Sequence, residues 1–194
     1  MNDLTLLPPA PKAAVKRFTW DEVLAMSQAG MFAETERVEL IGGEIVVMPE
    51  EGPLHVDALE ALRDWLEAAL PRTLKVYMRA PLQLPEGSVT VPDLLVAPRG
   101  TRARDMVAAN VQLLIEVSDT TLNRDQRRKR PLYAEAGISE FWIVDPRSRQ
   151  MRIYRDPAGG EWLTVQTFGP GQAVAPLIAP GAAFAVDDLP TAAD

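Results

Sequence analysis

Asp93 follows Pro92 and opens an apolar run, Leu94-Leu95-Val96. Glu116 stands near the end of the most apolar stretch in the chain, Val111-Gln112-Leu113-Leu114-Ile115-Glu116-Val117. Lys129 follows across a short polar connection, inside Arg127-Arg128-Lys129-Arg130. A carboxylate near the end of a buried strand is costly to desolvate unless something positive meets it. Two such carboxylates on neighbouring strands form an oxygen-rich, sulfur-free ligand set that suits a hard cation such as Mg²⁺ or Mn²⁺. A lysine beside them could hold or activate a water that attacks a phosphodiester. The same residues also fit a structural role, with Asp93 ending a turn and Glu116 paired to Arg124 or Arg127. Spacing alone does not choose between the two.

The elements that must position these groups can be read from pattern. Thr19 with Glu22 three residues on is a capping box, and Gly30 supplies the stop of a first helix. Residues 37–41 and 44–48 flank Gly42-Gly43, whose freedom to take positive φ suits a two-residue hairpin turn. Leu59, Leu62, Leu66 and Leu70 recur at helical spacing through 54–70, and Pro71 ends that helix. Strands are expected at 74–84 and 89–97, around the turn signal Pro85-Glu86-Gly87-Ser88. Val111 to Val117 is apolar on both parities, the mark of a central strand covered on both faces. A short helix is expected over 132–136 before Gly137, with a kink or restart at Pro131, which lacks a backbone donor. A hairpin about Pro146-Arg147 and a last strand over 161–168 precede a Pro/Ala/Gly-rich tail. Together these predict an α/β or α+β sandwich around one mixed sheet, with an N-terminal helix and hairpin.

Two further residues are candidates by position. Glu39 alternates against Val38 and Leu40, so it points away from their face, either toward a metal or out to solvent. His55 begins the long helix, where an imidazole could orient a water, contact phosphate, or merely fill a cleft edge. Tyr133 and Trp142 read as core.

Composition closes off several classes of function. The 194 residues contain no Cys and one His, which excludes disulfides, thiolate nucleophiles and any multi-histidine metal site. No apolar run approaches the ~18–20 residues that span a bilayer. The net charge of −7 argues against a protein that coats nucleic acid indiscriminately. Charge is nonetheless segregated: residues 33–70 carry ten acids against two bases, whereas 99–130 carry eight bases against four acids. If the basic segment lines a cleft mouth, Arg124, Arg127, Arg128 and Arg130 could steer a phosphate backbone there. Otherwise it is a solvated loop of weak ion pairs. Residues 1–17 read as a loose arm with neither a basic start nor an apolar core for secretion, 18–190 as one domain and 191–194 as a tail, in a cytoplasmic protein.

The longer context is similar to a known family. Val91-Pro92-Asp93-Leu94-Leu95-Val96, Leu113-Leu114-Ile115-Glu116-Val117-Ser118-Asp119-Thr120, Lys129 with Tyr133, and Gly137-Ile138-Ser139-Glu140-Phe141-Trp142-Ile143-Val144-Asp145-Pro146 occur in order. With Val38-Glu39-Leu40-Ile41-Gly42-Gly43-Glu44 and His55 upstream, they resemble the Uma-two family of proteins classed as restriction-endonuclease-like, within the PD-(D/E)xK nuclease superfamily. The resemblance implies a restriction-endonuclease-like fold and a Mg²⁺- or Mn²⁺-dependent DNA endonuclease. It implies that Asp93 and Glu116 are metal ligands, with the Val117 backbone carbonyl nearby. The superfamily places its Lys two residues after the acid, where Ser118 stands here, and the matching family position is Lys129. Glu39 and His55 complete the candidate catalytic set. The alternative is a catalytically inactive nuclease-fold module for nucleic-acid binding or protein assembly. A homodimer would suit cutting two strands, with residues 173–184 covering either a neighbour or the chain's own sheet.

Overall fold

The computed structural model describes residues 14–33, 35–118 and 123–191, leaving aside the side chains of 123–126. Most of the expected N-terminal arm thus lies outside the described residues. Order runs through α1 (Trp20–Gln28), β1 (Arg37–Ile41), β2 (Glu44–Met48), α2 (Pro53–Ala69), β3 (Leu74–Met78), β4 (Leu82–Gln83), β5 (Val89–Thr90) and β6 (Leu94–Pro98). It continues with β7 (Leu113–Val117), α3 (Asn123–Glu135), β8 (Glu140–Asp145), β9 (Gln150–Ala158), β10 (Glu161–Phe168), β11 (Ala173–Val174) and β12 (Phe184–Ala185).

The local signals act as their chemistry dictates. Thr19 caps α1, its side chain accepting from the Glu22 amide while the Glu22 carboxylate takes the Thr19 amide. Gly42 and Gly43 turn the β1–β2 hairpin at φ +58° and +77°. Pro53 opens α2 at its first position, where the missing N–H costs nothing.

A six-stranded sheet runs in the order β10-β9-β8-β7-β6-β3, antiparallel except for the parallel pair β7–β8. Helix α3 makes the crossover between those parallel strands. On one face α2 buries Leu59, Leu62 and Leu66 against Ile115, Val117, Trp142 and Val144. On the other, Tyr133 of α3 packs with Leu95, Leu114, Phe141 and Tyr154. Strand β7 is buried at every position, as its two-sided apolar pattern predicts. Each such fully buried side chain contributes about 1.5–3 kcal/mol of transfer free energy. A second sheet, β2-β1-β5-β4, lies beside the first in sequence, since β5 leads into β6 through Val91-Pro92-Asp93.

Two expectations change, and one open alternative is decided. The strands over 74–84 and 89–97 each divide in two, because Arg79 adopts φ +49° and Pro81 and Pro92 interrupt the ladder. The first half of one and the second half of the other stay in the large sheet, while the remainders pass to the small one. Helix α3 continues through Pro131 as one element, which rules out the restart that was one of the two expectations there. Lys129, Tyr133 and Ala134 are all buried and hold the helix against the sheet across a defect worth ~3 kcal/mol. The tail covers its own sheet: Val174, Phe184, Val186 and Leu189 join the α2-side core, and Phe184 meets the Trp65 ring edge-on at 5.2 Å. No helix among the described residues is long and apolar enough to cross a membrane.

Candidate functional site

Strand register brings the two acids together. Leu94 pairs with Ile115 across the antiparallel β6–β7 ladder, so Asp93, one residue before β6, falls opposite Glu116. Opposed residues of an antiparallel pair point to the same face. Asp93 Oδ2 accepts the Val117 amide at 2.8 Å, which ties its carboxylate to β7. What the structure records of Val117 here is that amide. Both acids are buried, at 4% and 8% exposure, and both line a cavity of about 120 Å³.

Helix α3 covers that face and delivers Lys129, itself 3% exposed. The ammonium lies 3.2 Å from Glu116 Oε1 and 2.8 Å from Glu39 Oε1. Glu39, the acid on β1 with two possible orientations, is fully buried, and its Oε1 also accepts the Val91 amide at 2.8 Å. One helical turn beyond Lys129, the Tyr133 hydroxyl donates to Glu116 Oε1 at 2.8 Å and lies 3.3 Å from Thr90 Oγ1. Residues four apart share a helix face, so Lys129 and Tyr133 meet one carboxylate.

His55, in the first turn of α2, comes from the other side of the sheet. Its Nε2 stands 3.3 Å from Asp93 Oδ1 and 3.1 Å from Glu51 Oε1. Glu51 in turn holds Arg37 at 2.6 Å and Arg79. Of the basic run, Arg127 and Arg128 are exposed, and Arg128 pairs with Glu44 at 3.0 Å. Arg130 lies over the Tyr154 ring and donates to its hydroxyl at 3.3 Å. None of these three lines the cavity, whose cationic side chains among the described residues are Arg37, Lys129 and His55 when protonated. The Arg124 side chain lies outside the described residues.

The electrostatics follow from burial. Desolvation pushes the Glu116 carboxyl up, to about 7; the Lys129 charge opposes this, while Asp93 and Glu39 add to it. Burial alone would lower Lys129, yet the Glu116 and Glu39 charges outweigh it and raise the ammonium, which stays protonated. Burial would likewise lower His55, but the facing Asp93 and Glu51 carboxylates outweigh it and bring it up to about 9. Tyr133 is raised by burial and remains a neutral donor.

The donor set fits a hard divalent cation. Two buried carboxylates, Glu39 and Glu116, meet on the Lys129 ammonium, the buried Asp93 lies opposite Glu116 on the neighbouring strand, and Glu39 Oε2 is buried without a hydrogen-bond partner. All are oxygen donors in a chain without Cys. Tyr133→Phe is expected to cost about 1.5–3 kcal/mol in urea denaturation, because it strips a buried donor from a charged acceptor.

Sequence reasoning missed Glu51, Arg37, Arg79 and Thr90. Only Glu51 carried a signal, its place four residues before His55. Tyr133 was read as core, which it is, but its hydroxyl also serves Glu116.

Residues 20–187 match the model of the Uma2 family, described as "Putative restriction endonuclease". Among solved structures the chain is similar to one titled a "putative nuclease belonging to DUF820" from Anabaena variabilis ATCC 29413. The TM-score is 0.66 at 20% identity, over 84% of this chain and 96% of that one, a likeness of fold. No curated protein matches.

Proposed function

The chain belongs to the Uma2 family, and from that membership we propose that its cavity hydrolyses DNA phosphodiester bonds with the help of a divalent cation. One observation carries the proposal: Asp93 and Glu116 line one cavity from adjacent strands, with the buried Lys129 ammonium 3.2 Å from Glu116. The family description and the nuclease-titled neighbour support the same reading.

Asp93 and Glu116 would hold Mg²⁺ or Mn²⁺, with the Val117 main chain beside them. When bound, the ion supplies Lewis acidity toward a phosphoryl oxygen and lowers the pKa of water. The chain's own groups do the rest. The Val117 amide fixes the Asp93 carboxylate, and Tyr133 with Lys129 fixes Glu116. Glu39 anchors Lys129, so that its permanent positive charge is aimed without reorganisation at the non-bridging oxygens, where negative charge grows as water adds to phosphorus. His55 faces Asp93 Oδ1 at 3.3 Å and steadies that carboxylate from the α2 side. Arg127 and Arg128, exposed on α3, contact the DNA backbone outside the cavity. Cutting both strands of a duplex suits a two-fold pair of chains.

The test is conversion of supercoiled plasmid to nicked and linear forms by the purified protein. Cleavage with Mg²⁺ or Mn²⁺ that stops in EDTA is the expected result. Binding without turnover under every cation would point instead to an inactive nuclease-fold module.

A further inference from the structure

The proposed centre engages Asp93 beside Glu116, yet Asp93 Oδ1 faces elsewhere. Together with His55 Nε2 and a Glu51 oxygen it forms a cluster whose ligand atoms all lie within 4.8 Å of one another. Donors about 2.0–2.2 Å from a shared first-row cation stand about 3.0–4.2 Å apart, so small movements close the cluster on an ion.

A second observation points to a ligand. The His55 side chain is only 9% exposed, and its Nε2 is buried without a hydrogen-bond partner, although oxygens lie 3.1 and 3.3 Å away. Neither oxygen therefore sits along the ring N–H direction. Glu51 Oε1 is buried, with Arg37 2.6 Å away but no aligned hydrogen bond, and Glu51, His55 and Asp93 all line the cavity. Glu51 is held just before α2 and His55 in its first turn, so the pair is presented by a rigid helix start.

We infer that Glu51, His55 and Asp93 form a second cation site, selective for a first-row divalent ion with imidazole affinity such as Mn²⁺. Mg²⁺ prefers an all-oxygen octahedron and is a poor fit to this nitrogen-containing set. Arg37 shares Glu51 Oε1 and Arg79 holds Oε2, so an entering cation displaces an ion pair and releases the His55 Nε2 proton to solvent, which makes this the weaker of the two sites. None of its three ligands needs Glu116 or Lys129; it shares only Asp93 with the proposed catalytic centre.

The test is Mn²⁺ binding to the tag-free full chain, counted by EPR of the free ion and examined by pulsed EPR for directly bound ¹⁴N. His55 is the only histidine in the chain, so directly coordinated imidazole nitrogen can come from nowhere else. The expected result is two Mn²⁺ per chain, the weaker one ¹⁴N-coupled. His55→Gln should lose that ion and its coupling, and Glu116→Gln should retain both. Wild-type Mn²⁺ without ¹⁴N coupling overturns this site, whether or not the variant folds. One uncoupled ion that is lost in Glu116→Gln would overturn it while leaving the nuclease centre standing. A ¹⁴N-coupled ion in a protein that cleaves with no cation would keep this site and sink the proposed function.

Discussion

Lys129→Met is expected to slow single-turnover DNA cleavage by about 10²–10³-fold, the usual loss when a preorganised transition-state charge is removed. It should also cost about 3–5 kcal/mol of stability, because Glu39 and Glu116 would keep buried charge without their shared counterion. The two effects separate in a double variant. Adding Glu39→Gln removes one orphaned charge, so urea denaturation should recover part of the stability while cleavage stays low. DNA affinity should change little, since Arg127 and Arg128 remain exposed on the same helix. Weakened binding with turnover per bound complex unchanged would make Lys129 a phosphate anchor instead.

Glu140→Ala should be the most damaging change away from the cavity, again about 3–5 kcal/mol. Glu140 is fully buried at the start of β8. Its Oε1 accepts from Trp142 Nε1 at 2.9 Å and from Arg155 at 2.6 and 2.9 Å, and its Oε2 accepts the Leu177 amide at 2.8 Å. Arg155 also donates to the Ala175 carbonyl at 2.7 Å. One carboxylate thus fastens the C-terminal segment to the sheet, and removing it strands a guanidinium in a site largely closed to water. Hydrogen exchange should accelerate across 173–189, with cleavage per folded molecule retained because Glu140 does not line the cavity.

Much of this architecture was legible because its signals are local. The Thr19–Glu22 box, the Gly42-Gly43 turn and the two-sided apolar run of β7 act within a few residues, and each appears where expected. Asp93 and Glu116 stood out for a physical reason as well: acids at the ends of apolar strands need a partner. What escaped was non-local. Strands of two residues, β4 and β5, are too short to show a period, so the exchange between sheets at Arg79 and Pro92 had no pattern to betray it. Alternation told which face Glu39 takes but not that this face is buried over Lys129. Pro131 obeyed packing over backbone preference, and the long-range bonds of Glu140 had no sequence signature.

The most direct measurement is single-turnover cleavage of end-labelled DNA, protein in excess, with binding measured in the same samples for wild type and Asp93→Ala. The expected result is cleavage by wild type in Mg²⁺ or Mn²⁺, and bound but intact DNA with Asp93→Ala. Equal cleavage by the two proteins, or wild type that binds and never cuts with either cation, would contradict a cation-assisted centre at Asp93 and Glu116.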